Sequence, residues 1–517
     1  MSRNTVFVII FLIFIAAPFA FIEYVHFPYS DGAEHGAAVR ALASNILHPG
    51  DPMLNLPESG SPRYVPSIVV MGLVMKLLSL DVFAVLKLFS IAYFLLFLIS
   101  VALFSTAYFG DSGQASWSIV FLLFFWGLGW QEANAYMFSA LIASAYYPSV
   151  VAFSLAFLSL YCQINFLKQH RLMALIAAIA LGALSFMNHP LTGCFYLVSA
   201  GLLYLEKSGI NKKTVFCYSI SVVATICLLL CWPYYSFFDA FIKVATGSMR
   251  ETLDYNLTYT YFYSKVLFRV GPALAGIPIL FYYFKHRQYL LLWGGCAIFC
   301  CTYMAGYFLS ISLAERSIFF AICFLQLSAA RLCREKLSLA QHRVPTAKHA
   351  VSGVLRLFLA GGMLLQGGIA AKNFLYHSLV FTEGASLPHY QKPNAVQHEL
   401  KKYLKPGDIV MSYIYPAWSI PVYTGAKIIA LYHTPPHIVD HVQRIRDVKE
   451  FFSTSVSPER RKEILARYGA THVFIDFIAH DKQDFIIDGK QLVPILKELG
   501  YAEIVHRDLF SIFSVPK

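Results

Sequence analysis

The sequence predicts a polytopic α-helical membrane protein of about 11 to 13 spans, carrying a water-soluble α/β domain at its C-terminus. Three observations lead there. Hydrophobic residues make up 57% of the 517 and charged residues 14%, with a mean hydropathy of +0.58; a soluble globule of that composition would expose large apolar patches. Apolar runs that match a hydrocarbon core of about 30 Å recur from residue 5 to residue 372. Beyond residue 372 the composition turns abruptly to short alternating strands and helices, the pattern of a small α/β layer.

The first run, residues 5 to 22, follows a short basic start and continues into Glu23 without a small-residue cleavage site, so it reads as an uncleaved signal anchor. Further spans are expected near residues 64–80, 82–108, 116–130, 149–167, 172–188, 191–206, 214–232, 266–284, 288–310, 313–332 and 352–372. Basic residues gather in short loops: Lys168 and Arg171; Lys207, Lys212 and Lys213; Lys285 and Arg287; Arg331, Arg334 and Lys336. The positive-inside rule makes these loops cytoplasmic. Placing residues 168–171 inside requires an even number of crossings between residues 109 and 148, met by a second short helix near 134–147, for thirteen spans in all, or by a re-entrant hairpin. The N-terminus then lies inside and the C-terminus outside. Two outward segments are long, residues 23–63 and 233–265. The expected division is a membrane domain over 1–375, with its outer loop at 23–63, and an exported domain over 376–517.

Net charge is +12, and its confinement to short loops argues for membrane topology and against nucleic acid. The ten cysteines fall in or beside apolar runs, and the Cys296, Cys300, Cys301 cluster has no His or carboxylate in its span to make a metal site. No Gly-x-Gly-x-x-Gly and no P-loop occurs, which leaves a nucleotide site unsupported. Among the acids of the membrane part, Asp81, Glu206 and Glu335 are assigned inside. Asp111 and Glu132 are left without a side. The rest fall on outer loops or outer span ends, so the chemistry faces outward. Span centres nearly free of ionisable groups weaken an ion-coupled transporter reading.

In the first outer loop, Tyr29-Ser30-Asp31-Gly32-Ala33-Glu34-His35 opens an amphipathic helix to about residue 47, with Asp31, Glu34 and His35 on one face of its first turn. A carboxylate there can take the proton of an attacking hydroxyl. The same spacing is also a capping box, which needs no chemistry. His48-Pro49-Gly50-Asp51-Pro52 reads as a turn, and Arg63 at the next helix entry either sits at headgroups or clamps a phosphate. Asn188-His189-Pro190-Leu191-Thr192 forms a tight inter-helix turn in which His189 serves local hydrogen bonding or a ligand. Glu315-Arg316 opens another span, either as an ion pair or with Arg316 on a phosphate.

Together these segments resemble the GT-C superfamily of polyprenyl-phosphate-dependent membrane glycosyltransferases, the bacterial branch similar to aminoarabinose and protein mannosyl transferases. One span, a long loop with an early acid, many spans and an exported α/β domain reproduce that layout. The loop acid Asp31, the turn from His48 to Pro52, the Asn188 to Thr192 stretch and Glu315-Arg316 carry the resemblance, as do Lys405-Pro406-Gly407-Asp408, Tyr423-Thr424-Gly425 and Arg467-Tyr468-Gly469. The family's frequent Asp-Glu pair is here Asp31-Gly32, with Glu34 displaced.

The resemblance implies an inverting transferase that moves a sugar from a polyprenyl-phosphate donor to a glycan, lipid or protein acceptor at the outer face of a bacterial inner membrane. It assigns Asp31, Glu34 and His35 to catalysis, Arg63, His189 and Arg316 to the donor phosphate, and His48, Asp51 and Glu315 to acceptor or loop support. It names no certain cofactor and leaves room for a divalent metal. An oligosaccharide ligase or polymerase, and a lipid-linked-sugar transporter, are the competing readings.

Overall fold

The computed structural model describes residues 31–128, 136–238, 262–340 except 312, 360–372 except 370, 396–431 except 397 and 398, 438–477 except 439 and 454, and 489–516. The expected span at 5–22, the outer stretch 239–261 and the first part of the span at 352–372 lie outside them. In chain order the helices are α1 (Asp31–Ser44), α2 (Pro66–Leu78), α3 (Val82–Phe109), α4 (Gln114–Phe124), α5 (Phe138–Ser144), α6 (Pro148–Gln169), α7 (Leu172–Asn188), α8 (Pro190–Ser208), α9 (Lys212–Leu230), α10 (Val266–Val270), α11 (Gly276–Lys285), α12 (Leu290–Leu309) and α13 (Ile318–Ala340). The terminal domain follows as β1 (Ile409–Ser412), α14 (Ile414–Ala417), α15 (Ile420–Thr424), β2 (Lys427–Ile428), α16 (His441–Phe451), α17 (Pro458–Tyr468), β3 (His472–Asp476), α18 (Gly489–Glu498), β4 (Ala502–His506) and β5 (Phe510–Ser514).

The protein is a helical membrane protein with a C-terminal sheet domain. Among the described residues, six helical runs are long and apolar enough to cross a bilayer: Val82–Phe109, Pro148–Gln169, Lys212–Leu230, Val266–Lys285, Leu290–Leu309 and Ala314–Glu335. The chain divides into two compact units. The described residues of Ile22–Lys87 and Phe374–Lys517 form one, and those of Leu88–Asn373 the other.

In the membrane unit one set of helix ends is tied together by charge. Arg334 grips Asp111 at 2.7 Å, and Lys168 donates to the Ala107 carbonyl at 3.0 Å. Glu206 accepts from the Tyr108 hydroxyl and the Leu291 amide, each at 2.8 Å. The basic residues expected on one side therefore share one end of the unit, and Asp111 joins them. Because Ala107 and Lys168 meet at that end, and α3 and α6 are both full crossings, Pro148 starts at the opposite end. The stretch between them crosses an odd number of times.

This corrects the even count, and α2 supplies the reason. Both of its flanks return to α1: Arg63 to Asp31, and Asp81 to Arg40 at 4.0 Å. Asp81 also faces Lys401 of the terminal domain at 3.8 Å. The expected crossing at 64–80 is therefore not made, and Asp81 belongs with the loop instead of the basic loops. The expected extra helix near 134–147 is the seven-residue α5, about 10 Å long.

Where α4 ends, irregular backbone is satisfied by side chains. Gln326 donates to the Phe125 carbonyl at 2.8 Å and Gln366 to that of Trp126 at 3.4 Å. The Gly127 amide reaches the Arg269 carbonyl at 2.9 Å. Backbone groups left without partners in hydrocarbon are costly, which accounts for amide side chains in an otherwise aromatic core of Phe153, Phe195, Phe299, Phe320 and Phe324.

In the second unit the sheet order is β2-β1-β3-β5-β4. β1 is parallel to β2 and β3, while β5 is antiparallel to β3 and β4. Met411, Val473, Ile475 and Phe513 meet Val448, Phe451, Ile464, Leu465, Leu492 and Leu496 in one core. The boundaries of α17 follow from its sequence: Ser457 accepts from the Arg460 amide at 3.2 Å, Pro458 stands at the first turn, and Gly469 closes the end in the left-handed region at φ 61°. The loop also enters the sheet, since Leu54 bridges Ile428 in parallel and the Ile428 amide donates to the Met53 carbonyl at 2.9 Å.

His472, at the start of β3, has its Nδ1 2.9 Å from the Thr471 hydroxyl and 3.8 Å from Asp408. Burial pushes its pKa below the ordinary imidazole value, and Asp408 only partly opposes that. The unfolded chain therefore binds the proton more readily. The stability this residue contributes is complete above pH about 6.5 and declines as pH falls. Thermal unfolding followed between pH 7.5 and 5.5 should fall less steeply for His472→Gln than for wild type; equal slopes would refute the assignment.

Candidate functional site

α1 is short on apolar residues and rich in small ones, DGAEHGAAVRALAS, so it packs close. A Cβ at Gly36 would run into Val422 of α15, and one at Gly72 of α2 would meet Leu42. The Arg40 Nε donates to the Val422 carbonyl at 3.1 Å. These approaches hold α1 against α15 of the terminal domain, within one unit and just past its first turn.

At that turn the structure brings together three of the expected residues. The Arg63 guanidinium bonds Asp31 at 3.0 Å and pairs with the Glu34 carboxylate. The two acids differ in exposure. The Asp31 side chain is 36% exposed and that of Glu34 1%. The Trp418 indole, between α14 and α15, donates to Glu34 Oε1 at 3.0 Å. Glu34 is thus a buried anion in contact with Arg63 and Trp418, and Asp31 is the more exposed of the two. Burial works to lower the Arg63 pKa, but Glu34 and Asp31 outweigh it, and the net shift is upward. Arg63 stays charged and is committed to carboxylates.

The guanidinium also settles how the acid pair relates to a metal. It lies between the two carboxylates, where a divalent cation would need their oxygens, so the pair does not fit a metal ligand set. Among the described residues no three His, Cys, Asp or Glu side chains gather to hold an ion.

Other expected residues lie in the same unit with different surroundings. His35 is buried beside Glu34 on α1. His48 is exposed, its amide donating to Asn45 Oδ1 at 3.1 Å. Asp51 is buried and takes the Met53 and Leu54 amides on one oxygen at 2.8 and 2.7 Å, while its carbonyl accepts from Lys427 at 2.5 Å. Its side chain shapes the turn that delivers residues 53 and 54 to the sheet. Burial lowers the Lys427 pKa, with Asp51 opposing.

His189, Glu315 and Arg316 belong to the membrane unit. His189 caps α8: its Nδ1 lies 2.8 Å from the Thr192 hydroxyl and accepts from the Thr192 amide at 3.3 Å. Glu315 is buried. Arg316 is half-buried, its guanidinium 5.8 Å from the centre of the Phe262 ring, and its Nε is buried with no hydrogen-bond partner among the described residues.

Sequence reasoning did not find Trp418, 384 residues from Glu34. A lone Trp in a Tyr-Pro-Ala-Trp-Ser turn gives no local sign of its partner.

No protein-family model and no curated protein matches the chain. Among solved structures, the oligosaccharyltransferase of Archaeoglobus fulgidus tethered with an acceptor peptide containing the NVT sequon superposes with a TM-score of 0.49 at 13% identity, covering 90% of this chain and 69% of that one. Its apo form gives 0.49 at 11% identity, with the same coverage. The functional reading stands on this chain's own residues.

Replacing Arg63 with Met takes the paired cation from the buried Glu34 carboxylate, a loss that costs about 3–5 kcal/mol. Adding Glu34→Gln should recover much of that loss in a chemical or thermal unfolding midpoint. Strictly additive losses in the double variant would contradict the shared ion pair.

Proposed function

We propose that the protein is a membrane glycosyltransferase of GT-C type that moves a sugar from a polyprenyl-phosphate donor to an acceptor at the non-cytoplasmic membrane surface. The observation that carries the reading is the inequality of the two loop carboxylates. Glu34 is buried and spent on Arg63 and Trp418, while Asp31 shares the same guanidinium and stays open to solution. A fixed, accessible carboxylate at the start of the loop is what an acceptor hydroxyl needs to be oriented and to lose its proton as it attacks. The sequence resemblance supports the same residue independently.

The bonds balance without a cofactor. The acceptor oxygen forms a bond to the anomeric carbon as the carbon–oxygen bond to the lipid phosphate breaks. The phosphate leaves with the electron pair, Asp31 takes the proton, and the configuration inverts. Cations that meet the phosphate lower the barrier by stabilising charge as it develops. Arg316 suits that role through its buried Nε, which has no hydrogen-bond partner among the described residues, and its seat against Phe262. His189 is a second candidate, its ring fixed by Thr192. Arg63 acts on Asp31 in place of a role on phosphate. Undecaprenyl phosphate as the lipid, the bacterial inner membrane and an exported terminal domain belong to the same proposal.

Purified protein reconstituted with polyprenyl-phosphate sugars should release lipid phosphate, and Asp31→Asn should slow release at least about a hundredfold, the lower end of positioned acid–base effects. Arg316→Ala should weaken donor use. Wild-type turnover in Asp31→Asn would remove that carboxylate from the chemistry, and movement of intact lipid-linked sugar without its cleavage would favour transport.

A further inference from the structure

We propose that Trp418 is a positioning residue for the reaction, holding Glu34 so that Arg63 presents Asp31 in one orientation; this rests on the reading of Asp31 above. The polar contacts form a line. The Trp418 indole N–H donates to Glu34 Oε1 at 3.0 Å, the other Glu34 oxygen is ion-paired with Arg63 Nη2, and the same Nη2 donates to Asp31 Oδ1 at 3.0 Å. Each oxygen of Glu34 has its own contact, so the carboxylate cannot swing without losing one of them.

An indole N–H donates only and does not titrate near neutral pH. Trp418 therefore fixes Glu34 at every working pH without competing for its proton. Its source makes the terminal domain a structural part of the site, because α14 and α15 hang from the sheet and carry the donor to the first turn of α1. Charged groups on the elements around Glu34 are Arg63 from the loop, Asp31, His35 and Arg40 on α1, and Asp81 and Lys401 at the far end of the helix. Arg63 pairs with Glu34, so loss of the indole donor bears on that pair.

Trp418→Phe keeps an aromatic ring and removes the donor. It should lower kcat about ten- to hundredfold, the range one hydrogen bond to a buried charge commands, with donor KM unchanged. Trp418→His, which returns a ring N–H, should recover part of that loss. In the full chain labelled with 15N-indole, the Trp418 resonance, assigned by its loss in Trp418→Phe, should move in Glu34→Gln, where a neutral amide replaces the carboxylate that accepts from it.

A resonance that Glu34→Gln leaves unmoved overturns the hydrogen-bond link whatever the activity. A resonance that moves, combined with wild-type kcat in Trp418→Phe, overturns the positioning role and leaves the Asp31 reading standing. Wild-type turnover in Asp31→Asn overturns the functional reading and the positioning role with it, while the indole resonance still reports the link on its own.

Discussion

One guanidinium shared by two carboxylates organises the unit that holds the first loop and the terminal sheet. Arg63 sits before α2, Asp31 and Glu34 open α1, and the pairing closes the intervening loop upon itself. Two acids three residues apart would repel each other on a helix turn, more strongly where one is buried. The arginine turns that repulsion into a fixed geometry and keeps Glu34 ionised inside the fold. Once Glu34 is held, the neutral indole of Trp418 can complete its hydrogen bonding. Asp31 is then left as the one acid of the pair facing water.

The same constraint shows why the loop and the terminal domain form one unit. α1 brings small residues to α15 and α2, Asp51 turns the chain so that Leu54 lies along Ile428, and Lys427 reaches back to the Asp51 carbonyl. A sheet edge that ends at the two-residue β2 would expose unpaired backbone groups; the loop covers part of that edge. The sheet thereby gives the site a rigid base, which suits chemistry that depends on the placement of one carboxylate.

Local signals made much of this legible from sequence. Ser457-Pro458 and Gly469 are start and stop signals that coincide with the limits of α17, and the abrupt change of composition beyond residue 372 marks the stretch in which β1, β3, β4 and β5 form. The long apolar runs fixed the crossing helices, and the loop basicity foresaw that Lys168, Lys207 and Arg334 share one end. Hydropathy misled at α2, because an apolar stretch of 13 residues looks like a short span until Asp81 is seen to return to Arg40. That single error forced the wrong crossing parity between residues 109 and 148. Within the site, helix spacing exposed Asp31 and Glu34 as a pair, but not which of them is buried. The commitment of Arg63 to both, and the part played by Trp418, come from contacts between residues tens to hundreds of positions apart, which no periodicity encodes.

The central claim is that α1 and the terminal sheet are one cooperative body. Native-state hydrogen exchange of the reconstituted protein, read by peptide mass spectrometry, tests it directly, since segments that unfold together exchange together. The account predicts that amides of residues 34–44 are protected to the same degree as those of β1 and β3 and lose protection in parallel as denaturant is added. Fast, independent exchange of α1 while the sheet stays protected would contradict it.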